Sequence, residues 1–270
     1  MLIRVGFDIS FETDGPVPMQ LLMRLHQSRV TSLRLVEDLR IEPAPSRRNA
    51  MFIDGFGNRG DQIVTPTGPF RVTSDLVVDD DGRPDPCHPE AGQVPVEDLM
   101  PDEVPFLLPS RYCEVDRVGD AAWEMFGAVT PGWPRVQAIC DWVHDRLVYG
   151  YEHANSSAGA VDVMEQRAGV CRDFTHLAIA MCRCLNIPAR YVSGWLGDIG
   201  VEPSETPIDF HAWFEARLDG GWYAFDARHN TPRIGRVPMA RGRDATDVAF
   251  TTAFGPAPLR SFEVWAAAVE

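Results

Sequence analysis

The first residues of the chain alternate between apolar and polar side chains, which is the pattern of a β-strand with one buried face. In LIRVGFDISFE (2–12) every second residue is apolar. Four further segments have strand character, and turn-forming residues such as those of FGNRG (56–60) separate them. These segments are QLLMRLHQS (20–28), VTSLRLVEDLRIEP (30–43), AMFIDGFGNRGDQIV (50–64) and FRVTSDLVVDDDG (70–82). Residues 1–85 are therefore predicted to form a small antiparallel β-sandwich domain.

A proline-rich stretch follows over residues 82–109. Proline lacks a backbone donor and fixes φ, so this stretch is predicted to be an extended connector rather than part of a sheet or helix. We place the connector at 86–118 and a second domain at 119–270. No internal repeat is visible in the sequence.

The second domain begins with helical patterns and ends with strand patterns. AAWEMFGAV (121–129) and RVQAICDWVHDRLVYG (135–150) carry apolar residues at helical spacing, the latter after Pro134 at a first-turn position. A third helix is predicted to follow Cys171 and to end at Asn186-Ile187-Pro188. The strand patterns are ARYVSGWL (189–196), FHAWFEARL (210–218) and GWYAFDA (221–227). The chain as a whole is predicted to be an α+β protein.

Composition limits the kinds of partner that the protein can have. The chain has 270 residues, 45% of them hydrophobic, and 39 acidic against 25 basic residues give a net charge of −14. This charge argues against nucleic acid or an anionic membrane surface as the main partner. We see no signal peptide pattern and no apolar run near the ~18 residues that a membrane span requires. Six cysteines without a disulfide framework fit a reducing compartment, so we predict a cytoplasmic protein.

Cys171 is the residue whose position first indicates chemistry. It follows Ala168-Gly169-Val170 and begins a predicted helix. A thiol attacks as the thiolate, and the N–H groups and dipole of a helix N-terminus favour that anion. A cysteine nucleophile also requires a base, and the base requires an acceptor that fixes its tautomer.

A predicted hairpin supplies both groups. Asp-Gly between alternating strands is a strong hairpin signal, here Asp219-Gly220. With a two-residue turn, Leu218 lies opposite Gly221, and His211 becomes the diagonal neighbour of Asp226, ~7–8 Å away at the backbone. A register slip of one residue would place the two side chains on opposite faces.

The predicted roles follow from this geometry. Cys171 is the nucleophile, His211 the general base and then acid, and Asp226 the group that orients His211. The backbone N–H of Cys171 is a candidate hydrogen-bond donor to the oxyanion, and a second donor to the oxyanion is not evident from the sequence. Residue types and spacing alone leave open that the cysteine and the histidine are packing residues of the core.

Other chemistry-bearing residues are weaker candidates. His176 lies off the face of Cys171, whereas His229, three residues after Asp226, is a stronger rival base. Asp173 is expected to be a first-turn carboxylate of the cysteine helix. Tyr149 and Tyr151 are further candidates for donation to the oxyanion.

No metal site or cofactor site is predicted. Cys182 and Cys184 face different directions on a helix and cannot chelate together, and Cys87-His88 lacks a second pair of ligands. VVDDDGRPDPCH (77–88) resembles an EF-hand loop but has His88 where a glutamate is needed, so we interpret it as a turn.

Three segments resemble the transglutaminase-like superfamily of papain-like-fold enzymes, in its bacterial cysteine-peptidase-like branch. They are RAGVCRDFTHLAIAMCRCLNIPARYVSGW (167–195), DFHAWFEA (209–216) and WYAFDARHN (222–230). DGFGNRGDQI (54–63), LLPSRYCEVD (107–116) and ARGRDATDVAFTTAFG (240–255) resemble the same branch, so the likeness covers nearly the whole chain. The resemblance implies a papain-like catalytic domain over 119–270 and the family's Cys–His–Asp triad at Cys171, His211 and Asp226.

The resemblance also implies an acyl-enzyme formed from an amide of a peptide or protein substrate. Water would resolve it in a peptidase or amidase, and an amine would resolve it in a protein-glutamine transglutaminase. We favour hydrolysis because no acyl-acceptor site is visible. Acyl transfer as in arylamine acetyltransferases lacks a nucleotide-binding signature, and a non-catalytic peptide-binding module would not need all three residues. The oligomeric state stays open.

Overall fold

A computed structural model describes residues 1–34, 36–203 and 208–269 of the chain. It shows an α+β protein in which antiparallel sheets come first and a helix-rich domain follows, as predicted. Within these ranges the α-helices are α1 (Val115–Phe126), α2 (Trp133–Arg146), α3 (Ala160–Gln166) and α4 (Cys171–Cys184). The strands are β1 (Leu2–Thr13), β2 (Pro18–Leu21), β3 (Arg40–Glu42), β4 (Arg47–Arg48), β5 (Phe52–Ile53), β6 (Arg59–Val64), β7 (Gly68–Asp79), β8 (Val148–Tyr149), β9 (Ala168–Gly169), β10 (Ala189–Trp195), β11 (His211–Leu218), β12 (Gly221–Phe225), β13 (Val237–Gly242), β14 (Thr251–Ala253) and β15 (Leu259–Val269).

Two antiparallel sheets form the N-terminal region. One has the order β15-β1-β7-β3, and the other has the order β14-β2-β6-β4, with β5 paired to β6. The apolar positions that alternate in the sequence of β1 are the buried positions of the strand, since the residues at positions 3, 5, 7 and 9 are fully buried. Their side chains share one apolar core with residues of β2 and β7, so the predicted β-sandwich is confirmed.

The segment 30–43 differs from its predicted strand character. A 3-10 helix spans Gln27–Ser32, and the only strand in the described part of the segment is the short β3. The side chain of His26 accepts from the Ser28 N–H and so starts the 3-10 helix. Glu37 turns inward and pairs with Arg24 at 3.1 Å and with Arg59 at 2.8 Å. Capping and buried ion pairs thus outweigh strand propensity here, and Leu35 of this segment lies outside the described residues.

The last two strands return to the N-terminal sheets. β14 pairs with β2, and β15 pairs with β1 over most of its length. The predicted boundaries of 1–85, 86–118 and 119–270 did not include this return, and that division stays a prediction. Because β15 pairs along one edge of β1, a strand from the end of the sequence completes this N-terminal sheet.

The helix-rich region contains a further antiparallel sheet with the order β12-β11-β10-β13. α4 packs against β10 and β11 on one side and against α1, α2 and α3 on the other. Consequently every residue of α4 from Asp173 to Arg183 is buried. The helix ends as predicted, with Asn186 at a positive φ of 61°, and the Gln93 side chain of the connector donates to the carbonyl oxygens of Leu185 and Asn186.

Among the described residues, no helix combines the length and the apolar composition that crossing a lipid bilayer demands.

Candidate active site

Cys171 is the first residue of α4, as the sequence predicts. The carboxylate of Asp173 accepts from the backbone N–H of Val170 at 2.9 Å and so caps the helix start. This confirms the first-turn role expected for Asp173. Gly169 makes room for that carboxylate, because a Cβ at this position would lie 2.6 Å from the Asp173 side chain.

The hairpin of β11 and β12 has the register of a two-residue turn. Leu218 pairs with Gly221 and Phe214 with Phe225, while Gly220 takes a φ of +85° that favours glycine. This register confirms the condition on which the predicted geometry depended. As a result, Nε2 of His211 lies 2.8 Å from Oδ2 of Asp226.

Cys171 and His211 lie in the wall of one small cleft of about 70 Å³. Because Nε2 of His211 is engaged by Asp226, Nδ1 is the ring nitrogen left to exchange a proton in this cleft. Tyr149, Tyr151 and Asp209 also line it. The structure therefore brings together all three residues predicted from the sequence.

Asp226 is buried and receives several donors. Its Oδ1 accepts the backbone N–H groups of Arg228 and His229, each at 3.1 Å. Its Oδ2 accepts His211 and also Nδ1 of His229, at 3.1 Å. Nη1 of Arg236 lies 3.0 Å from the same oxygen as an ion pair without the alignment of a hydrogen bond.

These contacts keep Asp226 ionised. Burial alone would raise the pKa of its carboxyl, but the imidazole of His211 and the guanidinium of Arg236 outweigh burial and hold that pKa well below its usual range. For His211, burial lowers the pKa more than the Asp226 carboxylate raises it. The imidazole is thus neutral at neutral pH and able to accept a proton at Nδ1.

The Cys171 thiol is protonated in the free protein. Burial raises its pKa to about 12, and the charges of Asp209 and Asp226 add to this, against the backbone N–H groups of Ala212 and Arg172 that lower it. The helix start alone therefore does not generate a standing thiolate. Attack by this thiol requires a base such as His211 at the moment of reaction.

His211, Asp226 and His229 present ligand-type atoms that all lie within 4.8 Å of one another. Two imidazoles and a carboxylate are a donor set that binds divalent metals in other proteins. Here, however, the positive guanidinium of Arg236 lies against the same carboxylate oxygen. Its charge disfavours a cation at that point, so the arrangement fits a hydrogen-bonded network better than a metal centre.

His176 does not share the cleft, although it lies on α4. Its ring stacks on Tyr112 with centroids 4.9 Å apart, and Nε2 accepts the backbone N–H of Ala245 at 3.1 Å. Cys184 directs its sulfur to the carbonyl of Val115 at 3.1 Å. His176 is thus held outside the cleft, and Cys184 is a packing residue, as expected.

Arg236 is the site residue that sequence reasoning missed. It lies just before β13, and its Nε donates at 2.8 Å to Asp85, which immediately precedes the connector. Nothing in the local sequence marks this arginine, because its partners lie 10 and 151 positions away. Only the fold brings them together.

Comparison with known proteins shows which family the chain resembles. The profile of the Transglutaminase-like superfamily matches residues 121–227. The crystal structure of a candidate cysteine protease from Cytophaga hutchinsonii superposes with a TM-score of 0.86 at 34% sequence identity, over 100% of this chain and 91% of that chain. The chain belongs to the transglutaminase-like superfamily.

Mycobacterial proteins of uncharacterised function are also similar to this transglutaminase-like chain. One from Mycobacterium leprae is 28% identical over 222 residues, covering 78% of this chain and 77% of that protein. One from Mycobacterium tuberculosis is 28% identical over 231 residues, covering 78% of this chain and 73% of its own length. The sequence similarity to these proteins therefore extends well beyond the three segments that carry the site residues.

Proposed function

We propose that this transglutaminase-like protein is a thiol enzyme that forms an acyl-enzyme on Cys171 from an amide of a peptide or protein. The observation that carries the proposal is the hydrogen bond of 2.8 Å between His211 and Asp226. His211 lines the same cleft as Cys171. A nucleophile, a base and an orienting carboxylate are what acyl transfer through cysteine requires.

Acylation would follow from these positions. Sγ of Cys171 attacks the amide carbon while Nδ1 of His211 takes the thiol proton. Asp226 stabilises the imidazolium, and the N–H groups at the start of α4 face the developing oxyanion. His211 then returns the proton to the leaving amine, which departs and leaves a thioester on Cys171.

Deacylation would use the same base. His211 takes a proton from water as the water attacks the thioester carbon, and the thiol leaves with that proton while the acid product departs. An amine in place of water would give a new amide, which is transglutamination. We favour water, because it is the most abundant nucleophile at a cleft that is open to solvent.

The first experiment is mass analysis of a pool of glutamine-containing peptides incubated with the wild type, with and without a primary-amine probe. Peptides cleaved or deamidated by the wild type, and unchanged by Cys171→Ala, would support a hydrolase. Amine-labelled peptides would instead identify a transglutaminase. Cys184→Ala is the matched control, since this thiol lies on the same helix but contacts Val115, and it should keep the activity.

A Cys171-independent result would contradict the proposal. If neither product depends on Cys171 for any peptide of the pool, the alternative of a non-catalytic peptide-binding module is favoured. The proposed cytoplasmic location is checked separately, by fractionation of cells that express the protein.

A further inference from the structure

Asp209 places a carboxylate in the wall of the cleft, two positions before His211. The residue is half-buried. Its Oδ1 accepts the N–H of Phe210 at 2.6 Å, and its Oδ2 accepts the hydroxyl of Tyr151 at a long 3.4 Å. Neither partner carries a positive charge.

The other charged groups of the cleft wall have partners of opposite charge or stack on a ring. Asp198 pairs with Arg233 at 3.1 Å. The guanidinium of Arg228 lies 4.1 Å above the ring of Tyr149. Across the described ranges, no arginine or histidine comes within 4 Å of the Asp209 carboxylate. Asp209 thus lacks a counter-charge among the described residues.

The sequence contains no lysine, and all 25 of its basic residues are arginine. No copy of the chain therefore has an ε-ammonium group that could form an ion pair with the carboxylate of Asp209 in another copy. The N-terminal ammonium of Met1 donates to the carbonyl oxygen of Asp80 at 2.6 Å, so a primary ammonium at Asp209 comes from another molecule.

The negative charge of Asp209 also makes it harder for Cys171 to form a thiolate when no substrate is bound. This charge is the first electrostatic cause, after burial, that raises the pKa of the Cys171 thiol. A negative group beside a cysteine nucleophile is unfavourable unless a bound cation cancels its field. Binding of a cation at Asp209 would lower the pKa of the thiol, so that the nucleophile forms more readily when substrate is present.

We propose that Asp209 and Tyr151 form a subsite for a primary ammonium group of the substrate, next to the reacting amide. The subsite rests on the proposed function and adds a charge requirement to it. The ammonium donates to Oδ2 of Asp209 and to the hydroxyl oxygen of Tyr151, and the carboxylate supplies the opposite charge. The group comes either from the acyl donor, as an N-terminus or a lysine, or from a free amine that accepts the acyl group. Such an amine releases one proton to solvent before it attacks the thioester and a second to His211, which passes it to the departing thiol.

Charged thiol reagents test the subsite without knowledge of the substrate. The cationic aminoethyl methanethiosulfonate and the anionic sulfonatoethyl methanethiosulfonate both react with the thiolate, forming a mixed disulfide and releasing methanesulfinate. Their rates at Cys171 are measured at one pH by peptide mass mapping. The ratio of the two rates cancels the thiolate fraction and reports only the preference for charge.

We expect the wild type to favour the cationic reagent at Cys171, and Asp209→Asn to reduce the rate ratio about fivefold, as loss of one charge at close range would. Asp209→Glu should keep the ratio. Asp145→Asn is the matched control, because Asp145 is exposed on α2 and does not line the cleft. Cys87 is an exposed thiol of the connector and serves as an internal reference whose ratio stays constant.

An equal ratio at Cys171 in wild type and Asp209→Asn would overturn the subsite, provided that both proteins unfold at the same temperature. If Asp209→Asn is unstable, the rate ratio is compared between the wild type and Tyr151→Phe instead. In addition, both proteins are titrated with methylammonium. Methylammonium should protect Cys171 from the cationic reagent in the wild type and less so in Tyr151→Phe. Absence of protection in the wild type would overturn the subsite.

Turnover separates the two sources of the ammonium group. Donor peptides with lysine or N-acetyl-lysine beside the glutamine are compared without an amine, and a neutral donor is compared at rising concentrations of the amine probe. A loss of kcat/KM in Asp209→Asn for the lysine donors alone assigns the subsite to the donor, and a rise in KM for the amine alone assigns it to the acceptor. Failure of the proposed function looks different, because Cys171→Ala would then retain the turnover of the wild type.

Discussion

The carboxylate of Asp226 connects both histidines of the cleft. His211 and His229 donate to the same oxygen at 2.8 and 3.1 Å, with ring centroids 4.7 Å apart. Burial lowers the pKa of His229 to about 4, against the hydrogen bond that His229 donates to Asp226, which raises this pKa. His229 is therefore a neutral donor at neutral pH. We interpret it as a positioning residue that shares Asp226 with His211, rather than as the rival base that the sequence left open.

Removal of the second donor should affect the rate and its pH dependence. His229→Phe keeps a ring beside His211 but leaves Oδ2 with fewer donors, so we expect kcat to fall about tenfold. The freed oxygen interacts more strongly with His211 and raises its pKa, which moves the acid limb of the pH–rate profile to higher pH. His229→Gln retains a donor and should recover most of the rate. An unchanged acid limb in His229→Phe would contradict this role.

The start of α4 is the element that positions the nucleophile. Asp173 caps the helix and also pairs with Arg172 at 3.0 Å, although it is almost fully buried. α3 starts with a similar interaction, in which the Asp162 carboxylate accepts the N–H of Gly159 at 3.0 Å. α3 carries no residue of the proposed triad. The two caps thus offer a comparison between stability and activity.

Asp173→Ala and Asp162→Ala should each lower the free energy of unfolding by about 1–2 kcal/mol, as loss of a helix cap does. Only Asp173→Ala should also reduce kcat, because the backbone N–H groups at Cys171 lose their fixed direction. Denaturant unfolding and peptide turnover measure the two effects. Equal activity losses in both variants would show that general destabilisation is the cause.

At the scale of the whole molecule, the N-terminal sheets and the helix-rich region share polar contacts as well as an apolar core. The indole N–H of Trp195 donates to the carbonyl of Gly6 at 3.2 Å. Asn58 exchanges two hydrogen bonds of 2.7 Å with the backbone of Arg241. Arg241 also donates to Nδ1 of His26 at 3.0 Å. The turn-forming segment around residue 58 is therefore part of the contact between the two regions.

Two buried histidines predict that acid destabilises the molecule. Burial, and then the Arg241 charge, lowers the pKa of His26 to about 4, and burial lowers that of His176 to about 3. Above pH ~6.5 both are neutral in the folded and unfolded states, but below it only the unfolded chain takes up these protons. The contribution of these two histidines to the free energy of unfolding is thus fully present above pH ~6.5 and is lost as the pH falls towards 4 and then 3.

Unfolding in urea at pH 7 and pH 5 tests this expectation. Each of these histidines should contribute about 2 kcal/mol to the loss between the two pH values, since one pKa unit corresponds to about 1.4 kcal/mol. His26→Gln should therefore lose about 2 kcal/mol less than the wild type over this interval. His153→Gln, at a position exposed to solvent, should behave as the wild type. Parallel losses in His26→Gln and wild type would contradict the assignment to His26.

The sequence by itself determined the parts of this protein that depend on short stretches of chain. The alternation in β1, the stop of α4 at Asn186 and the register of the hairpin at Asp219-Gly220 follow from side-chain periodicity and turn chemistry. Because these features are local, the pairing of His211 with Asp226 was predictable from the turn alone. The position of Cys171 on a first helical turn was predictable for the same reason.

Tertiary structure alone decided the contacts between distant positions. The return of β15 to β1, the approach of Arg236 to Asp226 and Asp85, and the protonated state of Cys171 depend on burial and on neighbours far along the chain. The strand character of residues 30–43 was overridden by ion pairs of Glu37 with arginines outside that segment. Local propensities specify elements, whereas electrostatics and burial are sums over the whole fold, so the charge states of the site could be known only once the chain was folded.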